Sequence, residues 1–127
     1  MTTQVPEFLS LEGQYASYRP SGVFSFDDIV AMIDHALVFC RDHGIHDLLV
    51  DITGVSGFPP PTTLQRFNFA TRWADTAGGR VNLSMLAPPH LIDPERIGVT
   101  MAINRGLHTD VFTSEPDAVN WLLFEAH

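Results

Sequence analysis

The pattern of hydrophobic and polar positions is organised around residues 47–73. A short apolar run over residues 48–52 is typical of a parallel strand that is covered on both faces. A loop with two glycines and three consecutive prolines follows. Thr62 or Thr63 can then cap a helix over residues 63–77, because a threonine hydroxyl can accept a hydrogen bond from a free N–H of the first turn. Ligands of open α/β sheets bind at the carboxyl ends of strands, so we expect function in this loop.

The rest of the chain alternates strands and helices in the same way. Short apolar or alternating runs predict strands, and apolar residues three and four apart predict helices. The predicted strands cover residues 8–11, 14–19, 80–87 and 110–112, and the predicted helices cover residues 26–43, 93–105 and a last segment capped by Ser114. The resulting order is β-β-α-β-α-β-α-β-α. It predicts a single α/β domain over residues 1–127, with its core at about 8–124 and a mixed, largely parallel sheet, since parallel neighbours need helical crossovers.

Composition and charge narrow the classes of partner. The chain has 127 residues, of which 45% are hydrophobic and 17% charged, so it is long and apolar enough to bury a core. Its net charge is −8, it contains no lysine, and its seven arginines are scattered along the sequence. Nucleic acids and anionic lipid surfaces attract clustered basic side chains, so we expect neither nucleic acid nor a membrane as a partner.

The first residues and the single cysteine indicate a cytoplasmic location. The sequence does not open with a basic segment followed by a long apolar run, and its most apolar stretch, 29–40, is too short to span a bilayer. Cys40 has no partner for an internal disulfide. It shares the apolar stripe of the first helix with Ile33 and Leu37, which predicts a buried, inert thiol; a reactive thiol is the alternative.

Motifs for a chemical reaction are missing from the sequence. Neither G-x-S-x-G nor G-x-G-x-x-G occurs, and a nucleotide-binding P-loop requires a lysine. The segment 42–47 contains two histidines and two aspartates, but the predicted helix ends between the histidines and the segment contains no cysteine. We therefore expect no metal, no cofactor and no enzymatic activity.

The loop after the central strand offers four candidates for a ligand contact or a switch, namely Asp51, Ser56, Thr62 and Thr63. Asp51 can accept hydrogen bonds from the N–H groups of residues 54–57, and bracing this tight turn is the favoured interpretation. Contact with a ligand is the alternative. Thr62 or Thr63 is expected to act first as a helix cap and only secondarily as a phosphorylation site.

Two stretches of the sequence resemble the STAS superfamily. Residues 48–55 are similar to the strand that in this family reads aliphatic-Asp-aliphatic-Ser/Thr-x-Val, and residues 106–122 resemble its closing strand and final helix. The superfamily contains anti-sigma factor antagonists, the cytoplasmic domains of sulfate transporters and small uncharacterised SpoIIAA-like bacterial proteins. The resemblance implies a STAS-like fold and a non-catalytic, regulatory binding role.

The sequence departs from the antagonist-type pattern at one place. Those members carry a phosphorylatable serine in an Asp-Ser-Ser/Thr-Gly segment, whereas this chain has Phe-Pro-Pro-Pro-Thr-Thr at residues 58–63. Thr62 and Thr63 supply the only hydroxyls near that position. The resemblance is therefore to the uncharacterised branch.

The helix over residues 63–77 carries the prediction about partners. Its inward stripe is predicted to consist of Leu64, Phe67, Ala70, Thr71 and Ala74. Phe69 and Trp73 then point almost the opposite way and lie beside Gln65 and Arg66, as the aromatic residues of protein interfaces do. These four residues predict binding to a protein partner or a homodimer. The structural alternative is that the proline loop or a neighbouring helix covers the aromatics. The second functional interpretation is that a small apolar ligand binds between that loop and the aromatics. The third is an enzyme of unknown reaction.

Overall fold

The elements of the computed structural model follow the predicted alternation of strands and helices. The structure describes residues 5–127, and residues 1–4 of the predicted domain lie outside the described part. The strands are β1 (Leu9–Leu11), β2 (Ala16–Tyr18), β3 (Gly22–Val23), β4 (Asp47–Asp51), β5 (Val55–Ser56), β6 (Asn82–Leu86) and β7 (Thr109–Phe112). The helices are α1 (Phe26–Asp42), α2 (Thr63–Ala77), α3 (Ile97–Asn104) and α4 (Glu115–Asn120), with a 3₁₀ turn at Pro89–Leu91 and a π-helical turn at Trp121–Glu125.

Five of these strands form one mixed sheet in the order β1-β2-β4-β6-β7, in which only the β1–β2 pair is antiparallel. The predicted α/β class with a largely parallel sheet is confirmed. Successive parallel strands are added in one direction and helical crossovers are right-handed, so α1, α2 and α3 all cover the same face. A second, two-stranded parallel sheet of β3 and β5 was not predicted, because two-residue strands carry too little pattern.

The central strand β4 has a core on each side of the sheet. Leu48 and Val50 belong to the large cluster under α1, α2 and α3, whereas Leu49 packs with Trp121 and Leu122 on the opposite face. These three central residues of β4 are fully buried. This alternation is the period of a strand, and burial of both faces explains why the sequence there is continuously apolar.

Local hydrogen bonds set the helix ends. Ser25 Oγ accepts from the N–H of Asp28 at the start of α1, and Thr62 and Gln65 form a reciprocal capping box at the start of α2. Gly78 ends α2 in the left-handed conformation. The predicted bounds of α2 are confirmed, and of the two predicted candidates for its cap, Thr62 and Thr63, it is Thr62 that caps the helix. At α4 the helix begins after Ser114, but the Ser114 side chain makes no capping hydrogen bond.

The third helix is shorter than predicted. Residues 93–96 form a turn in which Asp93 Oδ1 accepts from the N–H of Glu95 at 3.2 Å and Asp93 Oδ2 accepts from the N–H of Ile97 at 2.9 Å. Arg96 has a left-handed backbone (φ 54°), which is incompatible with a continuous helix. An aspartate that bonds its own neighbouring backbone competes with helix formation, and this is why α3 begins at Ile97 and not at Asp93.

The predicted orientation of α2 is wrong. Trp73 is only 6% exposed and its Nε1 donates to the carbonyl oxygen of Val30 in α1 at 3.2 Å, while Leu64 is 68% and Phe67 40% exposed. Phe69 is half-buried, with its ring centroid 4.6 Å from that of Trp73. The helix packs against both α1 and α3, and its buried side takes in these larger aromatics. Phe69 and Trp73 are therefore not exposed interface residues.

Candidate functional site

A predominantly apolar cavity of about 110 Å³ lies between the sheet and the three helices that cover one of its faces. Its deep walls are aliphatic and aromatic side chains, among them Ile33 from α1, Trp73 from α2, Leu83 from β6 and Ala102 from α3. All four are at least nine-tenths buried. Cavities of this size and lining stay dry and accept small apolar molecules; a cavity of about 150 Å³ lined by Leu, Ile and Phe binds benzene.

The cavity is partly open at the carboxyl ends of β4 and β6. Phe58 and Pro61 of the loop after β4 reach it from one side, and Asp93 and Arg96 of the turn before α3 reach it from the other. These four residues are half-buried or exposed, unlike the deep walls. The opening therefore lies at the carboxyl ends of the strands, where open α/β sheets bind their ligands. The loop in which the sequence predicts function lies at this same end of the sheet.

A series of aromatic rings runs from this opening into the cavity. Phe58 meets Phe26 edge-on with centroids 5.6 Å apart, Phe26 lies 6.0 Å from Phe69, and Phe69 lies 4.6 Å from Trp73. Offset and edge-on ring pairs add favourable contacts beyond the area they bury. These four rings together form one aromatic wall of the cavity.

Few polar groups line the cavity, and most of them are already paired. Thr109 Oγ1 donates to the carbonyl oxygen of Leu83 at 2.7 Å, and Arg96 forms an ion pair with Asp110. The N–H of Ile97, together with that of Glu95 and the charge of Arg66, lowers the pKa of Asp93 and keeps it ionised.

Arg66 is the least engaged of these polar groups. Its Nη2 donates to the carbonyl oxygen of Leu91 at 3.2 Å, and within residues 5–127 it makes no salt bridge. Arg66 is half-buried, follows the first turn of α2 and is one of the residues that line the cavity.

Asp51 braces the loop, although through different partners from those predicted. Its Oδ1 accepts from the N–H of Thr53 at 2.9 Å and from Thr53 Oγ1 at 2.7 Å, not from the N–H groups of residues 54–57. Among these residues, the N–H of Val55 donates to the carbonyl oxygen of Ile52 at 3.1 Å. Asp51 Oδ2 also lies 3.0 Å from Nη1 of Arg19, which pairs with Glu115 as well.

The other loop candidates lie outside the cavity wall. Ser56 is exposed on β5, where its carbonyl oxygen accepts from the N–H of Phe24 at 2.8 Å. Thr62 is occupied as the cap of α2, Thr63 is the exposed first residue of that helix, and the Gln65 side chain accepts from the N–H of Thr62. Of the eight candidates from the sequence, Arg66, Phe69 and Trp73 line the cavity, and the other five do not.

The histidines of segment 42–47 are engaged with the backbone. His43 stacks on Phe39 and its Nδ1 lies 2.8 Å from the carbonyl oxygen of that residue, while His46 Nδ1 lies 3.2 Å from the carbonyl oxygen of Arg80. Nowhere in residues 5–127 do three or more His, Cys, Asp or Glu side chains come together in a way that could hold a metal ion.

Several residues of the cavity were not singled out from the sequence. Phe58 was noted only as part of the proline segment, and Asp93, Arg96 and Ala102 were assigned to a longer helix. The available signal was that the third helix carries apolar residues on two sides. Val99 and Ile103 form one side, and Ile97 and Met101 form the other. Val99 lines the cavity. A helix with apolar residues all round contacts more than one surface.

Comparison of the sequence with models of known protein families and with curated proteins finds no match. Across residues 5–127, every helix is too short or too polar to cross a membrane.

Proposed function

We propose that this protein binds a small apolar molecule in the cavity between the sheet and helices α1, α2 and α3. The observation that carries the proposal is the cavity itself, about 110 Å³ with an almost wholly apolar lining and an opening beside the proline loop. Small-molecule sites are concave, mostly apolar and lined by aromatics with a few polar groups. This cavity has all of these features.

The proposed role is binding without catalysis. The polar side chains of the cavity wall are those of Arg66, Asp93, Arg96, Thr109 and Asp110. No His, Cys or Ser is among the residues of this wall, and its one hydroxyl side chain, Thr109, donates its proton to the carbonyl oxygen of Leu83 and not to a carboxylate that could activate it. The resemblance to STAS-like binding domains, with the order β-β-α-β-α-β-α-β-α, supports the same class of function.

The test is calorimetric titration of the protein with benzene and with 1-hexanol. Ala102→Leu and Ala70→Leu, which extend side chains from opposite walls, should each abolish the heat of binding while the protein stays folded. Ala31→Leu on α1, half-buried and outside the cavity lining, is the matched control and should bind as the wild type does. Absence of binding to the folded wild-type protein would refute the proposed site.

A second candidate function is self-association or binding of a protein partner through the outer side of α2. Leu64 and Phe67 lie three residues apart on one side of this helix and are 68% and 40% exposed, and Arg105 lies over the Phe67 ring at 5.8 Å. Exposed apolar residues that are clustered mark interaction surfaces. Sedimentation velocity tests it: a dimer that dissociates in Leu64→Ser with Phe67→Ser would support this candidate, and a wild-type monomer would exclude self-association.

A further inference from the structure

The charged side chains at the opening of the cavity differ in how far their hydrogen-bonding capacity is already used. Asp93 accepts two backbone hydrogen bonds, and Asp110 is paired with Arg96, so both carboxylates already have hydrogen-bonding partners. Arg66 donates one hydrogen bond to a neutral carbonyl oxygen and has no carboxylate within salt-bridge distance in the described part of the chain. A guanidinium group has five N–H donors, so Arg66 retains most of its hydrogen-bonding capacity.

Arg66 is also one of the residues that line the apolar cavity. Arg66 precedes Phe69 and Trp73 on the same helix, and all three residues line the cavity. On the facing helix, a Cβ added at Gly98 would lie 3.6 Å from the Cβ of Arg66 and 3.7 Å from Cζ of Phe69. Because the residue at that point is a glycine, α3 places no side chain between these two residues.

From this arrangement we infer that the bound molecule is a small amphipathic acid, with an apolar body of about four or five carbons in the cavity and a carboxylate at Arg66. The inference rests on the proposed function, since it specifies the class of ligand for the same cavity. The body matches the volume and lining of the cavity, and the carboxylate supplies acceptors for the donors of Arg66. Two parallel N–H···O bonds from a guanidinium group to a carboxylate are short, directional and charge-assisted.

The net charge of −8 does not oppose this assignment. At physiological ionic strength exposed charges are screened over about 8 Å, so a ligand at the cavity mouth responds mainly to the groups nearest to it. Arg66 and Asp93 both lie at this opening without a salt bridge in the described part of the chain, and of the two only Arg66 carries the charge and the N–H donors that attract a carboxylate.

The experiment compares two ligands that differ only in the head group, hexanoate and 1-hexanol, by calorimetric titration at neutral pH. The wild-type protein should bind hexanoate about tenfold or more tightly than 1-hexanol, which is the usual worth of a hydrogen-bonded charge pair. In Arg66→Gln this preference should disappear, because hexanoate binding weakens while 1-hexanol binding is unchanged. Arg66→Lys should retain part of the preference, because a point charge cannot form the bidentate pair.

Arg72→Gln is the matched control. Arg72 is on the same helix, six positions further along, and is absent from the cavity lining; it pairs with Asp34 at the surface. This variant should leave both affinities unchanged. If wild type and Arg66→Gln bind 1-hexanol equally and hexanoate no better, the acidic head group is refuted and the apolar site stands. If neither ligand binds to the folded wild-type protein, the cavity as a binding site is refuted as well.

Discussion

Trp73 is the residue whose burial most directly shows how α2 is oriented. Its ring is 6% exposed, forms part of the cavity wall and donates a hydrogen bond to Val30 of α1. Trp73→Ala should therefore lower the free energy of unfolding by about 3–5 kcal/mol, as truncation of a buried aromatic does. Phe67→Ala on the same helix, where the ring is 40% exposed, should cost much less. Denaturant unfolding of both variants measures the difference, and equal costs would contradict this orientation of α2.

Cys40 gives a second prediction at the scale of one residue. The side chain is fully buried, and this burial raises the pKa of its thiol from 9.0 to about 12. Between about pH 9 and about pH 12 the folded protein keeps a proton that the unfolded chain releases, so stability is lost as the pH rises through this range.

The loss has an upper limit of about 1.4 kcal/mol per pH unit for one proton. Burial also raises the pKa of Tyr18, so the comparison must be with Cys40→Ala, in which the tyrosine contribution remains. The unfolding free energy of the wild type should fall more steeply with pH than that of the variant. Parallel curves would mean that the thiol is not shielded, as would native-state labelling by a thiol reagent as fast as in denaturant.

At the scale of an element, the start of α2 depends on one side chain. Thr62 Oγ1 accepts from the N–H of Gln65 at 3.1 Å, and the Gln65 side chain accepts in return from the N–H of Thr62 at 2.9 Å. Thr62→Ala should cost about 1 kcal/mol of stability because this cap is lost. Thr63→Ala, one position later and exposed, is the matched control and should be nearly neutral. If Thr62→Ala left the denaturation midpoint unchanged but abolished partner binding or phosphate uptake, this result would contradict the role of Thr62 as a cap and favour its role as a phosphorylation switch.

Elements that depend on neighbouring residues could be predicted from the sequence, whereas the direction that each helix faces could not. The caps at Ser25 and Thr62 and the end at Gly78 involve partners within a few positions. The buried side of α2 depends instead on where α1 lies, and the sequence has large apolar residues on both sides of this helix, so either orientation satisfies its pattern. Asp93 shows a third case, in which a cap residue followed by proline begins a turn and delays the helix.

For the molecule as a whole, the location of the candidate site was partly predictable and its form was not. The rule for open α/β sheets places ligands at the carboxyl ends of strands, and the loop with Phe58 and Pro61 does border the cavity. The cavity arises because side chains from three helices and the sheet leave a gap of about 110 Å³. A gap of this kind depends on packing between distant residues such as Ile33, Leu83 and Ala102, and no short-range pattern encodes it.

The cavity also makes a prediction about stability with and without ligand. Unfilled space in a core lacks packing contacts, so Ala102→Leu should stabilise the ligand-free protein by about 0.5–2 kcal/mol, the usual gain of cavity-filling changes. Ala102→Val is the smaller alternative if leucine proves too large for the gap.

A ligand at about a hundred times its dissociation constant stabilises the protein that binds it by about 2.7 kcal/mol. In saturating 1-hexanol the wild type should therefore become the more stable of the two, and thermal unfolding of both proteins with and without the alcohol measures this reversal. A stability order that stays the same in both conditions would show that the space filled at residue 102 is not the space the ligand uses.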